Sequence, residues 1–242
     1  MTGTLARFRL LGARATSSAI LDNPERAAQC DDEKPRWRGV LHEKAFAVSP
    51  AVGLLLVSSA TGARAVVAAA VYATTMTAML GASALNHRAA FGPRWQERVH
   101  RLDHAAINVA MAGTWTPIAL VALSGTSRLV LTSVVWGGVA LASVIQVAWV
   151  RAPAWVASAI ALGLGWTAAF ALPQMAAALS PVGVVLFVAG GLFCTAGAIV
   201  YALRRPDPAP ESFGYHEVFH ALVLAGVICH YVTIGFFVLP LA

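Results

Sequence analysis

Acidic residues are scarce in this sequence, and the places where they are missing are informative. No Asp or Glu occurs between Asp103 and Asp207, and that interval holds only four basic residues: Arg128, Arg151, Arg204 and Arg205. Charged residues make up 12% of the chain, against about 25% in an average soluble protein, while 58% of it is hydrophobic. So little charge cannot clothe a water-soluble domain of this length. Cysteine is scarce as well. Cys30, Cys194 and Cys229 show no paired spacing, which argues against a disulfide scaffold. The N-terminal region lacks the apolar core of a signal peptide, since Arg7 and Arg9 interrupt residues 5–11.

What the chain has instead is long apolar runs. A hydrocarbon core of about 30 Å needs roughly 20 apolar residues per helix, and seven runs approach that length: 45–60, 65–87, 102–123, 129–150, 153–172, 181–203 and 215–241. The breaks carry turn residues, among them Thr61-Gly62, Gly92-Pro93, Ser124-Gly125, Arg151-Ala-Pro153, Pro173-Gln174 and Arg204-Arg205-Pro206. This predicts an all-α, polytopic seven-helix bundle over residues 45–242. Interior Gly, Ala, Ser and Thr suit close helix packing in lipid. Residues 1–44 are polar and mixed in charge, and read as a largely disordered cytoplasmic tail. Within the tail, residues 4–14 are a candidate for a short basic amphipathic helix.

Lysines and arginines set the orientation. Eight precede the first run: Arg7, Arg9, Arg14, Arg26, Lys34, Arg36, Arg38 and Lys44. Arg88, Arg94, Arg98 and Arg101 lie in the second loop, Arg151 in the fourth, and Arg204 and Arg205 in the sixth. Only Arg64 and Arg128, in the first and third loops, fall on the opposite side. A cytoplasmic N-terminus, an external C-terminus and a multi-pass place in the cell membrane follow. The net charge of +6 is then explained by an anionic leaflet and needs no nucleic-acid partner. Membrane lipids are the expected partners.

This topology brings distant polar residues to one depth. His87 closes the second run, Asp103 heads the third, and His216 and His220 open the seventh, all at the cytoplasmic boundary. His216 and His220 are four residues apart, hence on one helix face. Two such imidazoles and a third from another helix give the donor set of catalytic zinc, with a position left for water. Ser83 stands one turn from His87. Each residue also has a plainer reading, as an interfacial polar group. Asp103 in particular can pair with Arg101 or favour a helix N-terminus. His42 and His100 are placed outside the membrane, His104 is at most a neighbour of the site, and His230 lies roughly 15 Å along the helix from His220. Glu217, about 100° round from His216, is expected to act indirectly or through the helix dipole.

Several segments together resemble the bacterial hemolysin III family, a relative of the progestin and adipoQ receptors and, more distantly, of alkaline ceramidases. They are Lys34-Pro-Arg-Trp-Arg-Gly39, Ser83-Ala-Leu-Asn-His87, Arg101-Leu-Asp103-His104, Gly113-Thr-Trp-Thr-Pro117 and Gly214-Tyr-His-Glu-Val-Phe-His220. The resemblance implies seven helices with one zinc near the cytoplasmic side, held by His87, His216 and His220. It also implies that Asp103 holds the metal-bound water with Ser83 beside it. One departure stands out. Glu43 is present in the first helix region, but the Asn and Thr-His that many relatives carry there are not.

Two classes of function fit. The first is a zinc-dependent hydrolase of lipid amides or esters, with Asp103 as general base. The second is a non-enzymatic sensor or homeostasis protein with structural zinc, or a pore-forming cytolysin as the family name suggests. Fold alone does not decide between them.

Overall fold

The computed structural model describes residues 35–148 and 154–242. The tail through Lys34, with its 4–14 stretch and Cys30, lies outside the described residues, as does the Arg151 break. The described chain is helical: α1 Val40–Ser59, α2 Gly62–Arg88, α3 Pro93–Pro117, α4 Gly125–Ala148, α5 Ala154–Trp166, α6 Leu172–Ala178, α7 Pro181–Leu203 and α8 Tyr215–Thr233. α5 and α6 are joined by a 3-10 turn at Thr167–Ala171 and together form the fifth span. Wider turns at Ile118–Ala122 and Ile234–Val238 extend α3 and α8. Among the described residues, seven segments are long and apolar enough to cross a membrane.

The boundaries differ from the hydropathy expectation in ways that matter. α1 starts at Val40 rather than 45, because Gly39 adopts φ 76° and turns the chain into the helix. That conformation strains any residue with a Cβ. His42 and Glu43 are therefore helical residues, and residues 35–39 belong to the compact bundle unit. α3 starts at Pro93, where proline suits the first helical position. Asp103 is thus nearly three turns inside α3 rather than at its head, which removes the capping alternative. Arg101 pairs with Glu97 one turn earlier, which removes the other. Pro173 does not end the fifth span. It sits at the start of α6 after the 3-10 turn, and the span continues to Ala178.

The packing is that of a protein whose solvent is lipid. Leu54, Leu129, Val144, Phe170, Val185 and Leu203 are exposed, while His42, Asn86, Asp103, Asn108, Glu217 and His220 are buried. In hydrocarbon no water satisfies a polar group, so such groups turn inward and pair. Two apolar clusters hold the helices. One gathers Leu56, Tyr72, Met76 and Ile234 around α1 and α2. The other gathers Leu123, Val135, Met175, Phe187 and Val238. α7 and α8 approach closely at facing glycines. A Cβ on Gly226 would stand 2.5 Å from Cys194 Sγ and 2.8 Å from the Gly190 carbonyl oxygen.

Candidate metal centre

The site forms where the end of α2, the first half of α3 and the start of α8 meet. His87 lies in the last turn of α2, and His216 and His220 in the first two turns of α8. At the start of α8 the Glu217 carboxylate accepts from the Gly214 backbone N–H at 2.9 Å, satisfying one of the free donors of the first turn. The same carboxylate is ion-paired with Arg38 at 3.0 Å. Glu217 therefore ties the first turn of α8, beside the two histidines, to the residue just before α1.

One nitrogen from each of His87, His216 and His220 lies within 4.8 Å of the others. His216 Nε2 and His87 Nε2 are 3.2 Å apart, and the Asp103 carboxylate is 3.6 Å from His87 Nε2. Two nitrogens each about 2.0–2.1 Å from a tetrahedral zinc stand about 3.3–3.4 Å apart, so this spacing suits a shared ion. A lone N–H···N hydrogen bond would also give 3.2 Å for one pair. It does not account for a third imidazole at the same place, whose buried Nδ1 makes no hydrogen bond. The three residues could together hold a metal ion, and their all-nitrogen donor set is one that zinc accepts.

Around them stand residues that the sequence did not single out. Asn86, buried beside His87, donates from Nδ2 to Asp103 Oδ2 at 2.9 Å. Its own Oδ1 accepts from Gln96 Nε2 at 3.1 Å. The carboxylate is thereby held in one orientation. The signal for Asn86 was its polar amide inside the apolar run that His87 closes. His42, expected outside the membrane, is buried, with its Nδ1 2.8 Å from Ser83 Oγ. Ser83 thus meets His42 directly and also faces Asp103.

Of the other histidines, His230 stands apart from the three, whereas His100, read from the sequence as a loop residue, lies within α3. His230 bonds the Phe187 carbonyl oxygen at 3.2 Å, deep between α7 and α8, away from the three ligand candidates. His100 is exposed, and His104 packs against it with ring centroids 4.3 Å apart. Cys194 and Cys229 are free thiols.

The imidazoles open onto a cavity of about 260 Å³ that runs into the bundle as far as His230 and Phe187. His87, Asp103 and His216 form its polar end, and Met79, Ile107, Met111, Leu162, Val188 and Val223 are among its apolar walls. The depth from His220 to His230 is about 15 Å.

A seven-span membrane protein with a largely buried three-imidazole cluster at one end of an apolar cavity is the class that fold and site define. The family described as Haemolysin-III related matches residues 31–231, and the chain belongs to that family. It is 29% identical to Hemolysin-3 of Bacillus cereus over 199 residues, which cover 80% of this chain and 86% of the relative. It is also 29% identical to the Hemolysin-3 homolog of Bacillus subtilis (strain 168), over 56% of this chain and 61% of that protein. The chain is a multi-pass membrane protein.

Proposed function

We propose that this chain is a zinc-dependent membrane hydrolase acting on a lipid amide or ester. The observation that carries the reading is the joining of three imidazoles and a fixed carboxylate to an apolar cavity. His87, His216 and His220 would hold zinc, which when bound polarises a carbonyl and makes water acidic enough to attack near neutral pH. Asp103, fixed by Asn86, is oriented to accept the proton of the attacking water. A carboxylate so placed serves as general base. Ser83 and His42 border that position. The walls between Met79 and Phe187 suit an acyl chain, and confine the reacting carbonyl to the polar end.

A second reading has one observation in its favour. Asp103 lies close enough to His87 to complete a closed four-ligand site, the form of structural zinc. The protein would then sense or adjust membrane state without turnover. Purified protein assayed for zinc content and for fatty acid released from acyl amides and esters in micelles separates the two. Zinc with release supports the hydrolase. Full zinc with no release from any lipid transfers the site to the structural reading.

A further inference from the structure

His42 belongs to the first helix, in a stretch whose composition reads as tail, yet only 2% of its surface is exposed. Two of its contacts are with the metal centre. Its ring lies against His220 with centroids 3.9 Å apart and planes 9° from parallel. Its Nδ1 is 2.8 Å from Ser83 Oγ. Three residues earlier, Gly39 packs so closely that a Cβ there would stand 2.4 Å from His87 Cβ. The start of α1 therefore touches two of the three ligand candidates and the serine between the helices.

We propose that His42 is a positioning residue of the metal centre, holding the His220 imidazole plane by face-to-face packing and the Ser83 hydroxyl by a hydrogen bond. The proposal rests on the zinc reading of His87, His216 and His220. An imidazole donates to a metal from a lone pair in its ring plane, so rotation of the ring turns the lone pair away from the ion. A flat ring packed on one face blocks that rotation. Leucine or valine could fill the space beside His220, but neither presents a flat parallel surface and neither bonds Ser83. Burying an imidazole costs free energy that hydrogen bonding offsets, and the Ser83 bond engages Nδ1. The outcome is that α1, which supplies no ligand, sets how firmly the centre holds metal. His42 is the buried polar residue that α1 brings to the site.

The test compares His42→Ala, His42→Phe and His42→Asn in full-length protein in detergent. Zinc affinity is measured by chelator competition, the ligand field by the visible spectrum of the cobalt-loaded form, and the fold by melting of the metal-free protein. Outer groups that orient a ligand typically control about 10- to 100-fold in metal affinity. His42→Ala should lose that much and shift the cobalt bands. His42→Phe keeps the flat face and should recover most of the affinity. His42→Asn keeps a group for Ser83 but no face, and should not recover it. Equal affinity in all three and the wild type overturns the proposal, as does a loss in all three that only tracks the melting temperature. His216→Ala is the control. If it too retains zinc, the metal reading itself has failed, an outcome distinct from failure of His42 alone. If His42→Ala does not fold, the Phe and Asn pair still decides the question, since both keep a side chain at the position.

Discussion

Replacing Asp103 by Asn tests the division of labour in the centre, because the structure separates what the side chain holds from what it can accept. In the wild type Asn86 Nδ2 donates to Asp103 Oδ2 at 2.9 Å. An amide oxygen at the same place still accepts that bond, and the side-chain volume is unchanged. A hydrogen bond to a charged group contributes about 1.5–3 kcal/mol and a neutral one about 0.5–1.5. Stability should fall by on the order of 1 kcal/mol, less where relief from burying a charge offsets the loss. What the amide cannot do is take a proton. Removal of a general base costs about 100- to 10,000-fold in rate, equivalent to about 2.7–5.4 kcal/mol at 1.36 kcal/mol per tenfold. The expected result is a folded protein with wild-type zinc whose fatty-acid release, followed by mass spectrometry, drops by at least two orders of magnitude. Asp103→Ala is the informative companion. It leaves the buried Asn86 donor unpaired at about 1–3 kcal/mol, so it should lose stability as well as rate. Zinc lost together with the fold in Asp103→Asn would make the carboxylate a ligand and refute the base assignment. Unchanged turnover would refute it too.

Three further outcomes follow from other parts of the molecule. His216→Ala should lose about one zinc per chain on metal analysis, while His230→Ala, altered at a site remote from the three imidazoles, should keep it; equal retention would sink the ligand set. A reporter fused after Ala242 should be external and one inserted near Arg94 cytoplasmic, and a cytoplasmic C-terminus would contradict the orientation drawn from the arginines. Gly226→Ala should destabilise by about 1–3 kcal/mol, because its Cβ would press on the Gly190 carbonyl oxygen at 2.8 Å, whereas Gly191→Ala, with nothing within 4 Å, should melt within about 0.5 kcal/mol of the wild type.

Span number and helical class were legible in the sequence because an apolar run of membrane length has almost nowhere but a bilayer to be buried. The meeting of His87, Asp103, His216 and His220 was legible through topology alone, since alternating helices bring those chain positions to one side of the bilayer. What hydropathy could not supply was the extent of each helix beyond its apolar part. α3 begins nine residues before the apolar run because Pro93 and the charged turns after it are helical. Trp95, with the Arg98 guanidinium 5.0 Å over its ring, is exposed there, and such residues anchor helix ends at an interface. The same blind spot hid His42, which a hydropathy boundary placed in the tail although Gly39 starts the helix before it. Asn86 was hidden for another reason. An amide within an apolar run shows that a partner exists but not which one, and Asp103 is 17 residues away on the next helix.

The position of the centre at the helix ends has a physical basis. Several polar groups there are met by one from another helix: His42 of α1 by Ser83 of α2, Asn86 of α2 by Asp103 of α3, and His87 of α2 by His216 of α8. Glu217 of α8 is met by Arg38, just before α1. Four helices are thus joined by side-chain contacts that hydrocarbon strengthens, because a separated partner finds no water. Elsewhere the bundle is held by apolar contacts such as those of Leu123, Val135 and Phe187, which in lipid confer shape more than attraction, since lipid tails are as apolar as the side chains. The two kinds of contact suit different tasks. A fixed polar end can hold imidazoles at the separation an ion requires, and apolar walls can receive chains of varied shape without breaking specific bonds. On the proposed hydrolase reading, the cavity that joins them would hold a lipid carbonyl at the polar end while its chain stays among apolar side chains. On that reading the arrangement suits a water-insoluble substrate, because its chain would not have to leave an apolar environment for its polar head to be hydrolysed.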